Sequence, residues 1–126
     1  MAEFYEASAG DGKLAVKGTL TLTSGGAVLQ LYGGTREHVG SVTVSIPRPS
    51  LKDSDNVSVT SSVINLLSHK DELVGRPAAE MLAAALNLPV VCIAGIHVDD
   101  ATNDELRLLT GYSEDAVRLL LQEFQE

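Results

Sequence analysis

The sequence predicts an α+β domain, a largely antiparallel sheet with helices packed on it, and three observations carry that prediction. Polarity alternates with a period of two through the first half of the chain. Apolar positions recur at three and four in the second half. Between two helical patterns lies an unbroken apolar run, residues 88–96.

Within residues 13–23, Leu14, Val16, Leu20 and Leu22 alternate with Lys13, Lys17, Thr19, Thr21 and Thr23, the mark of a half-buried strand. Ser24, Gly25 and Gly26 supply turn chemistry before residues 27–32, so the pair reads as a hairpin. In the next strand Val42, Val44 and Ile46 alternate with Ser41, Thr43 and Ser45. Residues 47–56 combine two prolines with polar turn formers and predict an exposed loop. A β-branched strand pattern resumes over 57–67, and the connections are short enough for antiparallel pairing.

From 76 to 86 the positions Ala78, Met81, Leu82, Ala85 and Leu86 form one helical face, with Pro77 tolerated in a first turn. Asn87 and Pro89 end that helix. Residues 89–96 do not alternate, which predicts a central strand covered on both faces. Thr102 and Glu105 match a capping box opening a short helix that buries Leu106 and Leu109 and stops at Gly111. Ser113 then caps a last helix, with Glu114 and Asp115 at its positive end and Val117, Leu120, Leu121 and Phe124 as its apolar stripe.

Composition bounds function. At 126 residues, 44% hydrophobic and with mean hydropathy +0.12, residues 1–126 make one domain with one core. The formal charge is -8, and residues 99–126 hold eight acids against Arg107 and Arg118. Nucleic acid and anionic membrane surfaces are poor partners for such a chain, because neutralising phosphates takes a basic stripe. Cys92 is the only cysteine, so one chain can form neither an internal disulfide nor a thiolate cluster, and it reads as a small buried hydrophobe. The first ten residues carry acids where a signal peptide has bases, and no apolar stretch approaches the ~20 residues of a membrane span, which predicts a cytoplasmic protein.

His38, His69 and His97 each fall at a break between elements, where a scaffold often places functional groups. If strand geometry persists past Ile96, His97 and Asp99 share a face. Each also has a plain reading: His38 as a turn residue, and His69 as part of a solvated charge run with Lys70, Asp71 and Glu72. Three histidines can build an open zinc site, yet their separations of 31 and 28 residues match no local metal motif. Gly33, Gly34 and Gly40 flank Arg36, and they are equally consistent with an anion cradle and with a glycine-rich turn. No P-loop, nucleophile elbow or dinucleotide-binding fingerprint is present.

The succession GGTREHVGSV, SHKDELV and LNLPVVCIAGIHVDDATNDEL, running in order from about Gly33 to about Leu109, resembles a prenylated-flavin chaperone-like family. Its best-known members are small D-type subunits associated with gallate and related hydroxyarylic acid decarboxylases. The resemblance implies a fold similar to small proteasome-assembly chaperones. It further implies a non-catalytic, homodimeric accessory protein that handles prenylated flavin mononucleotide, or flavin mononucleotide, for a decarboxylase partner. The motif positions are Gly33, Gly34, His38 and Gly40, then His69 and Lys70, then Gly95, His97 and Asp99. On that reading Lys70 and the glycine-rich turn, with Arg36 nearby, meet a flavin phosphate, while His38 and His97 hydrogen-bond the polar ring edge. Aromatic residues are only 4%, leaving Tyr32 and Tyr112 as stacking partners. Two rival readings stand beside it: a small metal-assisted enzyme using His38, His69 and His97, and a structural homodimer whose motifs merely shape turns and the interface, self-association being favoured by exposed strand edges while the pairing surface is not legible in the sequence. The 47–56 loop is free to carry partner specificity. The three motif segments are expected to cluster in space.

Overall fold

A computed structural model describes residues 2–52, 56–66 and 70–123. The elements run β1 (Glu3–Ala9), β2 (Val16–Thr23), β3 (Gly26–Gly34), β4 (Ser41–Pro49), β5 (Val57–Asn65), α1 (Glu72–Leu86), β6 (Val90–His97) and α2 (Asn103–Gln122). One six-stranded sheet has the order β1-β2-β3-β6-β4-β5, with every neighbour antiparallel except the parallel pair β3 and β6. The largely antiparallel α+β expectation therefore holds. No described helix is long and apolar enough to cross a membrane.

The β2–β3 hairpin turns on Ser24 and Gly25, with Thr23 opposite Gly26. Its even-numbered β2 residues and odd-numbered β3 residues face the helices. Val16, Leu20, Leu29 and Leu31 there are fully buried with Val117 and Leu120 of α2. Each such leucine contributes about 1.5–3 kcal/mol of transfer free energy.

Several expectations need correction. Residues 47–49 are strand, not loop: β4 pairs with β6 only from Ser41 to Ser45, so Pro47 and Pro49 lie where one side of β4 is already an edge. α1 begins at Glu72, which puts Pro77 in the helix interior, and the bond its missing N–H would make toward Leu73 is lost. The expected break at Gly111 does not occur. α2 runs through it, and Ser113 is buried mid-helix with its hydroxyl donating to the Leu109 carbonyl at 2.7 Å. Asn87 does end α1, in the left-handed region at φ 54°, and the Thr102–Glu105 capping box is formed in both directions. Phe124 and His69 lie outside the described residues.

The largest difference concerns β6 and β4. Both helices pack on one face of the sheet, so β6 is covered on one side, by α1, and not on two as its apolar run predicts. On β4 the hydroxyls of Ser41, Thr43 and Ser45 are the residues buried under α1, while Val44 and Ile46 point to the open side and are exposed.

Candidate functional site

Because β6 is inserted between β3 and β4, residues 35–40 must cross over its C-terminal end. That crossing builds the site. The amides of Thr35 and Arg36 both donate to the His97 carbonyl, at 2.7 and 3.4 Å, and the Gly40 amide donates to the Ala94 carbonyl at 2.9 Å. The loop lies flat on the strand end, and its glycines are what allow this. A Cβ on Gly95 would stand 1.4 Å from the His38 carbonyl oxygen, and one on Gly40 would stand 1.8 Å from Asp71 Oδ2. Gly34 has φ +79°, and a Cβ there would stand 2.1 Å from the His97 carbonyl oxygen. Gly33 is pressed against the backbone of Ala15 in the same way. The glycine segment packs closely on protein backbone, which neither sequence reading of it anticipates: the amides of Gly34, Thr35, Arg36 and Gly40 all donate to protein carbonyls.

Asp71, just ahead of α1, ties the crossing together. Its side chain does not cap the helix. Instead the Ile96 amide donates to Oδ1 at 2.9 Å, and His38 Nε2 lies 3.1 Å from Oδ2. This buried carboxylate thus joins the loop, the strand end and the helix start in one contact set. Asp71 stood in the sequence as one member of a charge run. With the helix read from residue 76 nothing marked it out, and even its true place immediately before α1 is a pattern that predicts a cap rather than a reach to a distant strand.

His97 forms a second pair. Its Nε2 lies 2.7 Å from Asp99 Oδ1, and Arg36 approaches the same carboxylate at 3.7 Å. The hydrogen bond and charge of His97, with a smaller share from Arg36, hold the Asp99 carboxyl below the ordinary aspartate range. β6 ends at His97 and Asp100 turns with φ 52°, so Asp99 reaches His97 around a turn and not along a strand. The His38 and His97 rings meet edge to face with centroids 6.5 Å apart. The predicted clustering of the three segments is therefore found for His38, Lys70, Asp71, His97 and Asp99, while His69 lies outside the described residues. Among the described residues no three His, Cys, Asp or Glu side chains are grouped to hold a metal ion. Cys92 is buried, and burial pushes its thiol up to about 12, consistent with a small core residue.

Beside this knot a cleft of about 550 Å³ opens between the start of α1, the end of β6 and the start of α2. Val74, Ile96, Val98 and Leu109 wall it, Leu73 and Leu106 stand at it with much of their surface in solvent, and Lys70, Asp71, His97, Asp100 and Thr110 are its polar members. Tyr32 and Tyr112 are not among the residues lining it. Tyr112 packs instead against Gly10, and Tyr32 lies opposite Gly95 on the β3–β6 ladder.

The fold is shared with a solved chaperone complex for yeast 20S proteasome assembly, at 16% identity over 97% of both chains and a TM-score of 0.62. No curated protein matches the sequence significantly. A family model described as the prenylated flavin chaperone LpdD-like domain matches residues 10–125, which include every element from β2 to α2 and the whole crossing, and the chain belongs to that family.

Proposed function

We propose that this chain is a non-catalytic, cytoplasmic carrier that holds prenylated flavin mononucleotide in the cleft beside β6 and passes it to a prenylated-flavin-dependent decarboxylase. The single observation that carries the reading is the coincidence of the cleft with the motif segments: Lys70, Asp71 and His97 belong both to the motifs and to its lining. Its volume falls within the ~300–1,000 Å³ of ordinary small-molecule sites, and its lining is more apolar than polar, with one cation, two carboxylates, an imidazole and a hydroxyl around it. The residues present fit the group. Val74, Ile96 and Leu109 suit the added hydrocarbon ring, Lys70 supplies a cation for the phosphate, and His97 offers hydrogen bonding to the heterocycle. The glycines, His38, Asp99 and Arg36 shape and orient this rim. No Phe, Tyr or Trp lines the cleft, so a flavin ring there is held by aliphatic walls and not by stacking, which counts against tight stand-alone binding.

Native mass spectrometry with prenylated flavin mononucleotide, and with the unprenylated form, tests the reading. A one-to-one complex per chain, weakened at least tenfold by Lys70→Ala and by Leu109→Glu, is expected. No uptake of either form, or uptake indifferent to both substitutions in folded protein, overturns it.

A further inference from the structure

α1 lacks the polar face that a surface helix turns to water. Gly75, Ala79, Leu82 and Ala83 pack on the sheet, and Val74 and Ala78 stand in the seam with α2. Opposite the sheet, at spacings of four and three, run Leu73, Pro77, Met81 and Ala84, a stripe without a charge. Leu73 is 69% exposed, Pro77 and Ala84 are exposed too, and Met81 is half-buried. The charges of α1 stand to one side of the stripe, where Arg76 is held between Glu72 and Glu80 at 3.7 and 3.4 Å. α2 shows the ordinary pattern, with Asp104, Arg107, Asp115 and Arg118 outward over its buried Leu109, Val117 and Leu120. A helix that is apolar both inward and outward is patterned for a cover.

We propose that the cover is the protein to which the cargo passes, docking on the stripe through an apolar surface ringed by Lys and Arg, a proposal that rests on the carrier reading of the cleft. Position favours this occupant. Leu73 and Val74 line both the cleft and the shallow seam between α1 and α2, so the stripe begins at the mouth through which a cargo leaves. The seam itself encloses only about 10 Å³, far below what a small molecule needs. Charge favours the same occupant. The two helices carry six carboxylates, Glu72, Glu80, Asp104, Glu105, Glu114 and Asp115, against three guanidiniums and no lysine. A second copy laid on the stripe would set like charge against like, whereas a basic rim would meet Glu114 at the seam. Pro77 adds an acceptor. Having no N–H, it leaves the Leu73 carbonyl without the amide that an unbroken helix sets against it, and a lysine or arginine beside the stripe can donate there.

Biolayer interferometry of the intact protein against the apo form of a prenylated-flavin-dependent decarboxylase from the same organism tests this, with flavin uptake by native mass spectrometry followed on the same samples. A complex is expected, weakened about tenfold or more by Ala84→Arg and about threefold or more by Glu114→Lys, and weakened by added salt. Leu119→Arg, a control at an exposed residue of α2 away from the stripe, leaves the affinity unchanged, and all three variants take up prenylated flavin mononucleotide as the wild type does. Should Ala84→Arg unfold, as judged by circular dichroism, hydroxyl-radical footprinting of the wild type decides. Leu73 and Met81 are then about threefold or more less oxidised in the presence of the decarboxylase, with Leu119 unchanged. A protein that takes up flavin but forms no complex at up to about 100 µM, or whose complex leaves Leu73 and Met81 unprotected or is indifferent to a folded Ala84→Arg, overturns the docking surface and leaves the carrier reading standing. A complex that forms through the stripe in a protein without flavin uptake supports the docking surface and overturns the carrier reading instead.

Discussion

The two ends of the sheet solve the same packing problem with different materials. On the β1–β2–β3 side, α2 closes over leucine and valine: Leu20, Leu29, Leu31, Val117 and Leu120 are all fully buried. On the β4–β5 side, α1 offers Gly75, Ala78 and Ala79 to a floor of Ser41, Thr43, Ser45 and Ser61. That floor is held by a chain of polar contacts, Ser45 to Ser61 at 2.7 Å and Ser61 to Glu80 at 2.7 Å, with Asn65 donating to Glu72 at 2.8 Å. The Ser41 and Thr43 hydroxyls find no hydrogen-bond partner among the described residues. Burial of hydrocarbon stabilises the first end, whereas the second exchanges water hydrogen bonds for internal ones at a net gain of only about 1 kcal/mol each. Small residues allow α1 to sit close, but a close fit of hydroxyls is weaker than a close fit of leucines.

The comparison breaks if truncation costs the same at both ends. Leu29→Ala is expected to lower unfolding free energy by about 2–5 kcal/mol in urea titrations, and Ser45→Ala, which loses one internal hydrogen bond, by no more than about 1 kcal/mol. Asp71→Ala, at the joint between the ends, leaves the Ile96 amide buried without its acceptor and is expected to cost about 1–3 kcal/mol. Hydrogen exchange then sharpens the picture, with amides of α1 and β5 exchanging through smaller openings than those of β2, β3 and α2. Thr43→Val reverses the sign: deleting an unpartnered buried hydroxyl is expected to raise stability by about 1 kcal/mol, measured in the same titrations. The smallest effect belongs to the exposed His97–Asp99 pair. Because the folded state holds Asp99 below its ordinary range, the pair's contribution is present above that range and is lost as pH falls through the lowered folded value. Carboxyl titration followed by NMR should show the midpoint of Asp99 rising toward the ordinary value in His97→Ala.

Legibility followed the same division. β2 and β3 were readable because their apolar alternation matches the face that is covered. The capping box at Thr102 and the stop at Asn87 were readable because their causes are local. β4 alternates just as cleanly, but alternation cannot say which face a helix will choose, and here the helix chose the hydroxyls. β1 was hidden because it is an edge strand whose Phe4 points into solvent, 74% exposed. Gly111 and Ser113 signalled a break, but the continuous buried stripe of Leu109, Ala116, Val117 and Leu120 outweighed them. At the site the segments were legible and the keystone was not. His38, Lys70 and His97 stand out by residue type, whereas Asp71 acts through partners 33 and 25 positions away.

The crossing over β6 also orders events in time. β3 and β4 are consecutive in the chain yet never pair with each other, because the strand that joins them lies some fifty residues downstream of the loop connecting them. In the complete sheet β1–β2–β3 and β4–β5 are joined only through β6, which occupies the strand-wide place between them. Only when β6 enters that place can residues 35–40 settle over its end and His38 reach Asp71. The last strand to enter the sheet therefore also completes the wall of the cleft.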